Sequence, residues 1–248
     1  MANIFEAPQT AEFPPLFQGQ SVSGNTDPFA KACALATIGC DAGVLVHNIT
    51  PDMLRAAIVF TPETPLEQAM WVVCCCGVGF QNALGALGPP EVAVHLKWQG
   101  DIMVNGATCG RLRAAASSND PALEPDWLVV GLELDLIPKT DADGGVTPDL
   151  TSLYQEGCGD VSPIRLLEGW SRHTLVWINR QISDGVEPLH AEWRALVPDI
   201  GEEISATLEN KAISGTFLGV DENFGMLIRD GETSRLIPLS SRLERAQF

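Results

Sequence analysis

The sequence predicts an α+β protein: a mixed, largely antiparallel sheet with helices, followed by a small C-terminal β-module. Three observations carry that expectation. Between Glu91 and Ile137, apolar runs with β-branched alternation are separated by turn dipeptides, the pattern of an antiparallel meander. Ahead of it, the segment opened by Pro65 and running to Leu87 is apolar nearly all round, as a helix enclosed in a core is. After Pro198 come EISATL, SGTFLGVD, FGMLIRDG and SRLIPL, short strand-like pieces with Gly and Asp turns between them. They suffice for a small barrel or sandwich of about 50 residues. The expected division is residues 1–198 and 199–248.

Each element has its own signal. Residues 1–26 read as an extended, weakly ordered lead. Asp27 is a helix N-cap with Pro28 at the first helical position, and the helix stops near Gly39 or Gly43. GVLVHNI and RAAIVFTP read as strands, and the buried helix that follows ends at Gly88-Pro89-Pro90. EVAVHLKW is a strand turned by Gln99-Gly100, and DIMV returns. Asn105-Gly106 is a two-residue hairpin signal, because both positions must tolerate positive φ. ATCGRLRAAA and DWLVVGLELDLI complete the meander, and DADGGVTPD is a loop. Residues 163–196 read as helical. There Trp170, His173 and Trp177 share one face, a spacing of core side chains more than of a ligand stack.

Composition bounds the partners. A net charge of −17 on 248 residues argues against nucleic acid and anionic membrane surfaces. The N-terminal MANIFEAPQTAEFPP has neither the basic nor the apolar region of a secretory leader. The apolar run from Met70 to Gly79 is shorter than the roughly 20 residues of a membrane span. Cys74, Cys75 and Cys76 are adjacent, so their side chains point apart; with seven cysteines in all, free thiols in a reducing, cytoplasmic setting are expected. His47, His95, His173 and His190 are scattered without metal-ligand spacing.

The cations are unevenly placed. Residues 1–96 contain only Lys31 and Arg55, and then Lys97, Arg111 and Arg113 follow closely. Lys97 and Asp101 flank the Gln99-Gly100 turn. By themselves they are either a solvated pair worth under about 1 kcal/mol or part of a site. Strand alternation puts Arg111 and Arg113 on one face, toward either a pocket or solvent.

VHLKWQGDIMVNGATCGRL resembles the central segment of biotin protein ligases, where a Lys-Trp-Pro-Asn-Asp run precedes a Val-Asn-Gly hairpin and a Gly-bearing strand. TPETPLEQA is similar to the lead into that family's buried helix, WLVVGLEL to a later strand, and HAEWRALVPDIGEEISATL with GTFLGVDENFGMLIRDG to its C-terminal module. The resemblance spans about residues 27–245. It implies the class II synthetase-like biotin/lipoate ligase fold with a C-terminal SH3-like barrel. It also implies Lys97 as the catalytic residue, touching the acyl carboxylate and the α-phosphate. A fixed cation there supplies about 4 kcal/mol at 4 Å and an effective dielectric near 20. Trp98, Gly110 and Gly131 are retained, and Asp101 would help place nucleotide and metal. With Arg111 and Arg113, these form the expected ligand-binding set. ATP and Mg²⁺ would be the cofactors of an active ligase, and an acyl-carrier-type protein its acceptor. A homodimer is compatible.

Departures from the family are equally specific. Gln99 and Gly100 replace its proline and asparagine. Where the family has a Gly-Arg-Gly-Arg-x-Gly-Arg loop, HNITPDMLRA (residues 47–56) has one arginine and no glycine. Glu133 and Asp135 stand where glycine and asparagine are expected, and two carboxylates repel a triphosphate unless Mg²⁺ lies between. Thr108 matches the position where lipoate ligases and octanoyltransferases place their lysine, and Cys109 has no identifiable base to make it a nucleophile. Residues 1–26 are too few for the DNA-binding module of repressor-type ligases. The expectation is a ligase-like protein with a reduced site that binds a small carboxylate or other anion. The alternative is an active ATP-dependent acyl-adenylating protein ligase.

Overall fold

The computed structural model describes residues 10–138, 149–208 and 211–244. The DADGGVTPD loop and the first residues of the N-terminal lead fall largely outside them.

The N-terminal lead contains a strand that its composition hides. β1 (Gln18–Ser21) is four exposed residues running parallel to β2 (Val44–Ile49). Between them lies α1 (Pro28–Thr37), whose N-cap Asp27 accepts a hydrogen bond from Phe29 N. β2 turns through residues 50–52 into antiparallel β3 (Met53–Phe60). The expected single apolar helix is broken at Met70 into α2 (Leu66–Ala69) and α3 (Trp71–Leu87). By length and composition Leu66–Leu87 could cross a membrane, with mean hydropathy 1.5, but most of it is packed inside the fold.

The meander is β4 (Val94–Leu96), β5 (Asp101–Val104), β6 (Ala107–Ala116) and β7 (Leu128–Asp135). Asn105 and Gly106, at φ 50° and 94°, make the β5–β6 turn. The seven strands order as β1-β2-β3-β7-β6-β5-β4. α4 (Pro163–Asp184) is capped by Ser162 and ends at Gly185, and α5 (Glu187–Leu196) follows. α3 and α4 pack together over one face of the sheet, burying Leu54, Ile58, Leu112, Leu132 and Leu134 with Cys74–Cys76. α1 covers part of the other face. Trp170 and Trp177 serve the core: their indoles donate to Cys76 O (2.9 Å) and Asn82 Oδ1 (2.8 Å).

The second sheet is antiparallel: β8 (Glu203–Leu208), β9 (Lys211–Val220), β10 (Met226–Asp230) and β11 (Thr233–Ile237), in the order β11-β10-β9-β8. This is compatible with an SH3-like module. A 3-10 turn, Leu239–Arg242, follows it. The junction between the two sheets is buried. Phe224 is shut from solvent and meets Trp193 of α5 edge-on at 5.8 Å. Its carbonyl accepts from the Trp98 indole at 2.8 Å. Phe224 holds φ at 62°, a left-handed conformation that costs an ordinary residue roughly 1–2 kcal/mol, so the packing at this point overrides local preference.

Candidate functional site

The sheet face that α1 partly covers holds a row of polar side chains, one per strand. Asn48 of β2 pairs with Arg55 of β3, Arg55 with Glu133 of β7, Glu133 with Arg111 of β6, and Arg111 with Asp101 of β5. Residues directly opposite across antiparallel strands share a face, so the charges alternate along the row. One pleat further along, the row is Val46, Ala57, Gly131 and Arg113.

Arg111 and Arg113 share this face, as alternation requires, and both are already paired. Glu133 gives one oxygen to Arg111 Nε (2.7 Å) and the other to Arg113 Nη1 (2.7 Å). Arg113 also meets Asp27 Oδ2 at 3.0 Å and Glu244 at 2.8–3.1 Å. Its guanidinium lies 4.2 Å from the centre of the Phe29 ring. Burial alone would lower the Arg113 pKa, but Glu244 and Glu133 outweigh it and raise the pKa above the ordinary value. The expected basic surface is therefore neutralised by Asp27, Glu133 and Glu244.

The remaining expected residues are dispersed. Lys97 continues the β4 alternation on the side opposite to Leu96 and Trp98. It is half-buried, and its ammonium has no partner among the described residues. The turn is closed by Lys97 N to Asp101 O and Gly100 N to Lys97 O, both 2.9 Å. Asp101 borders a cavity of about 190 Å³ with Arg111, Glu133, Asp135, Thr108 and Gly110. Trp98 points the other way: it is 1% exposed in the core and ties the turn to the second sheet through Phe224. Gly131 abuts α1, since a Cβ there would lie 2.7 Å from the Phe29 ring. Gly110 abuts β7, where a Cβ would lie 2.2 Å from Glu133 O. Cys109 is fully buried, and burial pushes its thiol far above the ordinary range, so no thiolate nucleophile stands beside Lys97. A larger hollow of about 540 Å³, by Cys40 and Trp127, has Asp126 as its one charged lining residue.

Gly100 is explained by a residue that the sequence did not nominate. Arg242 reaches from the C-terminal 3-10 turn and puts Nη2 2.0 Å from where a Cβ at position 100 would sit. The same Nη2 lies 3.4 Å from Leu112 O, and the guanidinium is 5.9 Å from the Trp98 ring. Burial pushes the Arg242 pKa down to about 10, against the opposing pull of Cys74, Asp101 and Glu244. An asparagine side chain in the turn and Arg242 cannot share this volume. Asp27, Arg242 and Glu244 were missed because each lies outside the meander. Only Asp27 had a signal, and that signal described a helix cap.

Comparison with known proteins agrees with this architecture. The family model for the biotin/lipoate A/B protein ligase family matches residues 13–195, and a domain of unknown function, DUF4444, matches residues 200–245. A biotin–[acetyl-CoA-carboxylase] ligase of Paracoccus denitrificans is 22% identical over 182 residues, covering 73% of this chain and 75% of the relative. A biotin protein ligase-like protein of unknown function from Silicibacter sp. TM1040 superposes with a TM-score of 0.87 at 54% identity, over 95% of this chain and 100% of that one. The biotin protein ligase of Aquifex aeolicus in complex with biotin and ATP shares the fold, with a TM-score of 0.65 at 16% identity over 90% and 94% of the two chains. With the family model spanning most of its length and the sheet, helices and Lys97–Asp101 turn in place, the chain belongs to the biotin/lipoate A/B protein ligase family.

Proposed function

We propose that this protein is a ligase-like member of its family that binds a small carboxylate without adenylating it. The observation that carries this reading is the pairing of both arginines of the meander with carboxylates on the sheet face. A triphosphate does not fit this donor set. The cavity beside the turn presents Asp101, Glu133 and Asp135, and its one arginine, Arg111, is bonded to Glu133. The β2–β3 connection is only residues 50–52, so no segment there can fold over a nucleotide. Among the described residues no group of three His, Cys, Asp or Glu is placed to hold a metal ion on protein ligands alone.

Lys97 gives the ligand its first anchor. It is half-buried with no partner among the described residues, and a partly desolvated ammonium gains more from a carboxylate than an exposed one does. The second reading, an ATP-dependent acyl-adenylating ligase with a carrier-protein acceptor, draws on the same Lys97. The test is ATP–pyrophosphate exchange with Mg²⁺ and biotin, lipoate or octanoate, alongside calorimetric titration of each acid. No exchange, with an acid that binds the parent and is weakened about tenfold or more in Lys97→Ala, is expected. Exchange with any of the acids overturns the non-adenylating reading and establishes the second.

A further inference from the structure

Of the three carboxylates on Arg113, Glu244 differs in how it is held. Asp27 caps α1 and Glu133 lies within β7, so each is fixed by its own element. Glu244 follows the 3-10 turn, and its backbone is held by one hydrogen bond from its N to Ala114 O (2.8 Å). Its side chain is 39% exposed, against 14% for Glu133. Its carboxylate nevertheless takes the two-pronged position on Arg113: Nε at 3.0 and 3.1 Å from the two oxygens, Nη2 at 2.8 Å from Oε2. This is the geometry an arginine gives to a free carboxylate ligand.

Building on the small-carboxylate reading above, we propose that Arg113 is a carboxylate-binding site which the chain's own Glu244 occupies here, and that a small monocarboxylic acid and Glu244 exclude one another. Charge supports this. With Glu244 seated, Arg55, Arg111 and Arg113 stand against Asp27, Asp101, Glu133 and Glu244. With Glu244 withdrawn the cluster loses one negative charge, which a monocarboxylate on Arg113 restores. Shape supports it as well. The Phe29 ring, packed on Gly131, flanks the guanidinium and backs the site with an apolar wall. Arg242, two residues before Glu244, fills the volume under the Lys97–Asp101 turn, so withdrawal of this segment would empty both places together.

The experiment compares the full chain with Glu244→Gln, which keeps the shape and removes the charge. Glu192→Gln, an exposed carboxylate on α5, controls for net charge. Octanoate, biotin and lipoate are titrated into each by calorimetry, and hydrogen exchange at the Leu243 and Glu244 amides of the parent is followed with and without acid. At least one acid is expected to bind Glu244→Gln about tenfold more tightly than the parent. Glu192→Gln should match the parent, and the same acid should speed amide exchange at 243–244. Equal affinity for the parent and Glu244→Gln, with exchange unchanged by acid, overturns the exclusion and leaves the carboxylate reading standing. Binding of none of the acids by either chain overturns both. If Glu244→Gln does not fold, amide exchange in the parent decides.

Discussion

On the face of the seven-stranded sheet that α3 and α4 cover, Leu54, Ile58, Leu132 and Leu134 are shut from water. On the other face the same strands carry Arg55, Glu133 and Arg111 in one row. The apolar face needs only that each side chain be large enough and out of water, and many sequences satisfy that. The charged face needs named partners at hydrogen-bond distance, because an unpaired charge out of water is costly. Asp27 and Glu244, the partners that complete it for Arg113, lie 86 and 131 residues away in sequence. The two faces therefore respond differently to mutation: the first by degrees, the second according to which partner is left behind.

The strongest break of that comparison is Arg113→Met. It leaves Asp27, Glu133 and Glu244 close together without their common cation, and a loss of about 3–5 kcal/mol in urea unfolding is expected. A loss below about 1 kcal/mol would mean that the cluster is solvated and that the two faces obey one rule. Next comes Trp98→Phe, which keeps an aromatic ring in the apolar core, removes the bond to Phe224 O and leaves part of the indole volume empty. A loss of about 1–3 kcal/mol is expected, and the second sheet should melt earlier than the first by amide exchange. Arg111→Gln sharpens the contrast within the charged row. Its side chain is 55% exposed and holds one carboxylate oxygen, so its loss should cost less than about 1 kcal/mol although it is two residues from Arg113.

The smallest effect is one of pH. Burial holds the His47 imidazole below its ordinary 6.5, and burial with Arg172 does the same for His173. The unfolded chain then binds these protons more readily than the folded one. Their effect is absent well above pH 6.5, and stability falls as pH drops below that value. His47→Gln should flatten the acid side of a stability–pH curve. An unchanged curve would assign the acid loss elsewhere.

The legibility of the sequence follows the same divide. Asp27-Pro28, Asn105-Gly106 and the all-round apolar segment before Gly88 each carry their instruction within a few neighbours, and α1, the β5–β6 turn and α3 stand where they point. β1 escaped because four exposed residues on a sheet edge bury nothing and so show no pattern. The placement of Arg111 and Arg113 on one face follows from alternation, but their neutralisation does not, since it depends on a helix cap and on a residue near the C-terminus. Trp98 sits among the site's sequence neighbours yet belongs to the junction, because alternation turns it away from Lys97.

β5 is four residues long and β6 ten, so β6 outlasts its neighbour. Past that point, Leu112 O and Ala114 O receive Arg242 Nη2 and Glu244 N. Residues 242–244 thus cover this part of the edge. An uncovered strand edge invites pairing with another molecule. Whatever lifts residues 242–244 from β6 would uncover that edge as a template for self-association, so the contacts that seat Glu244 on Arg113 also cover a strand edge.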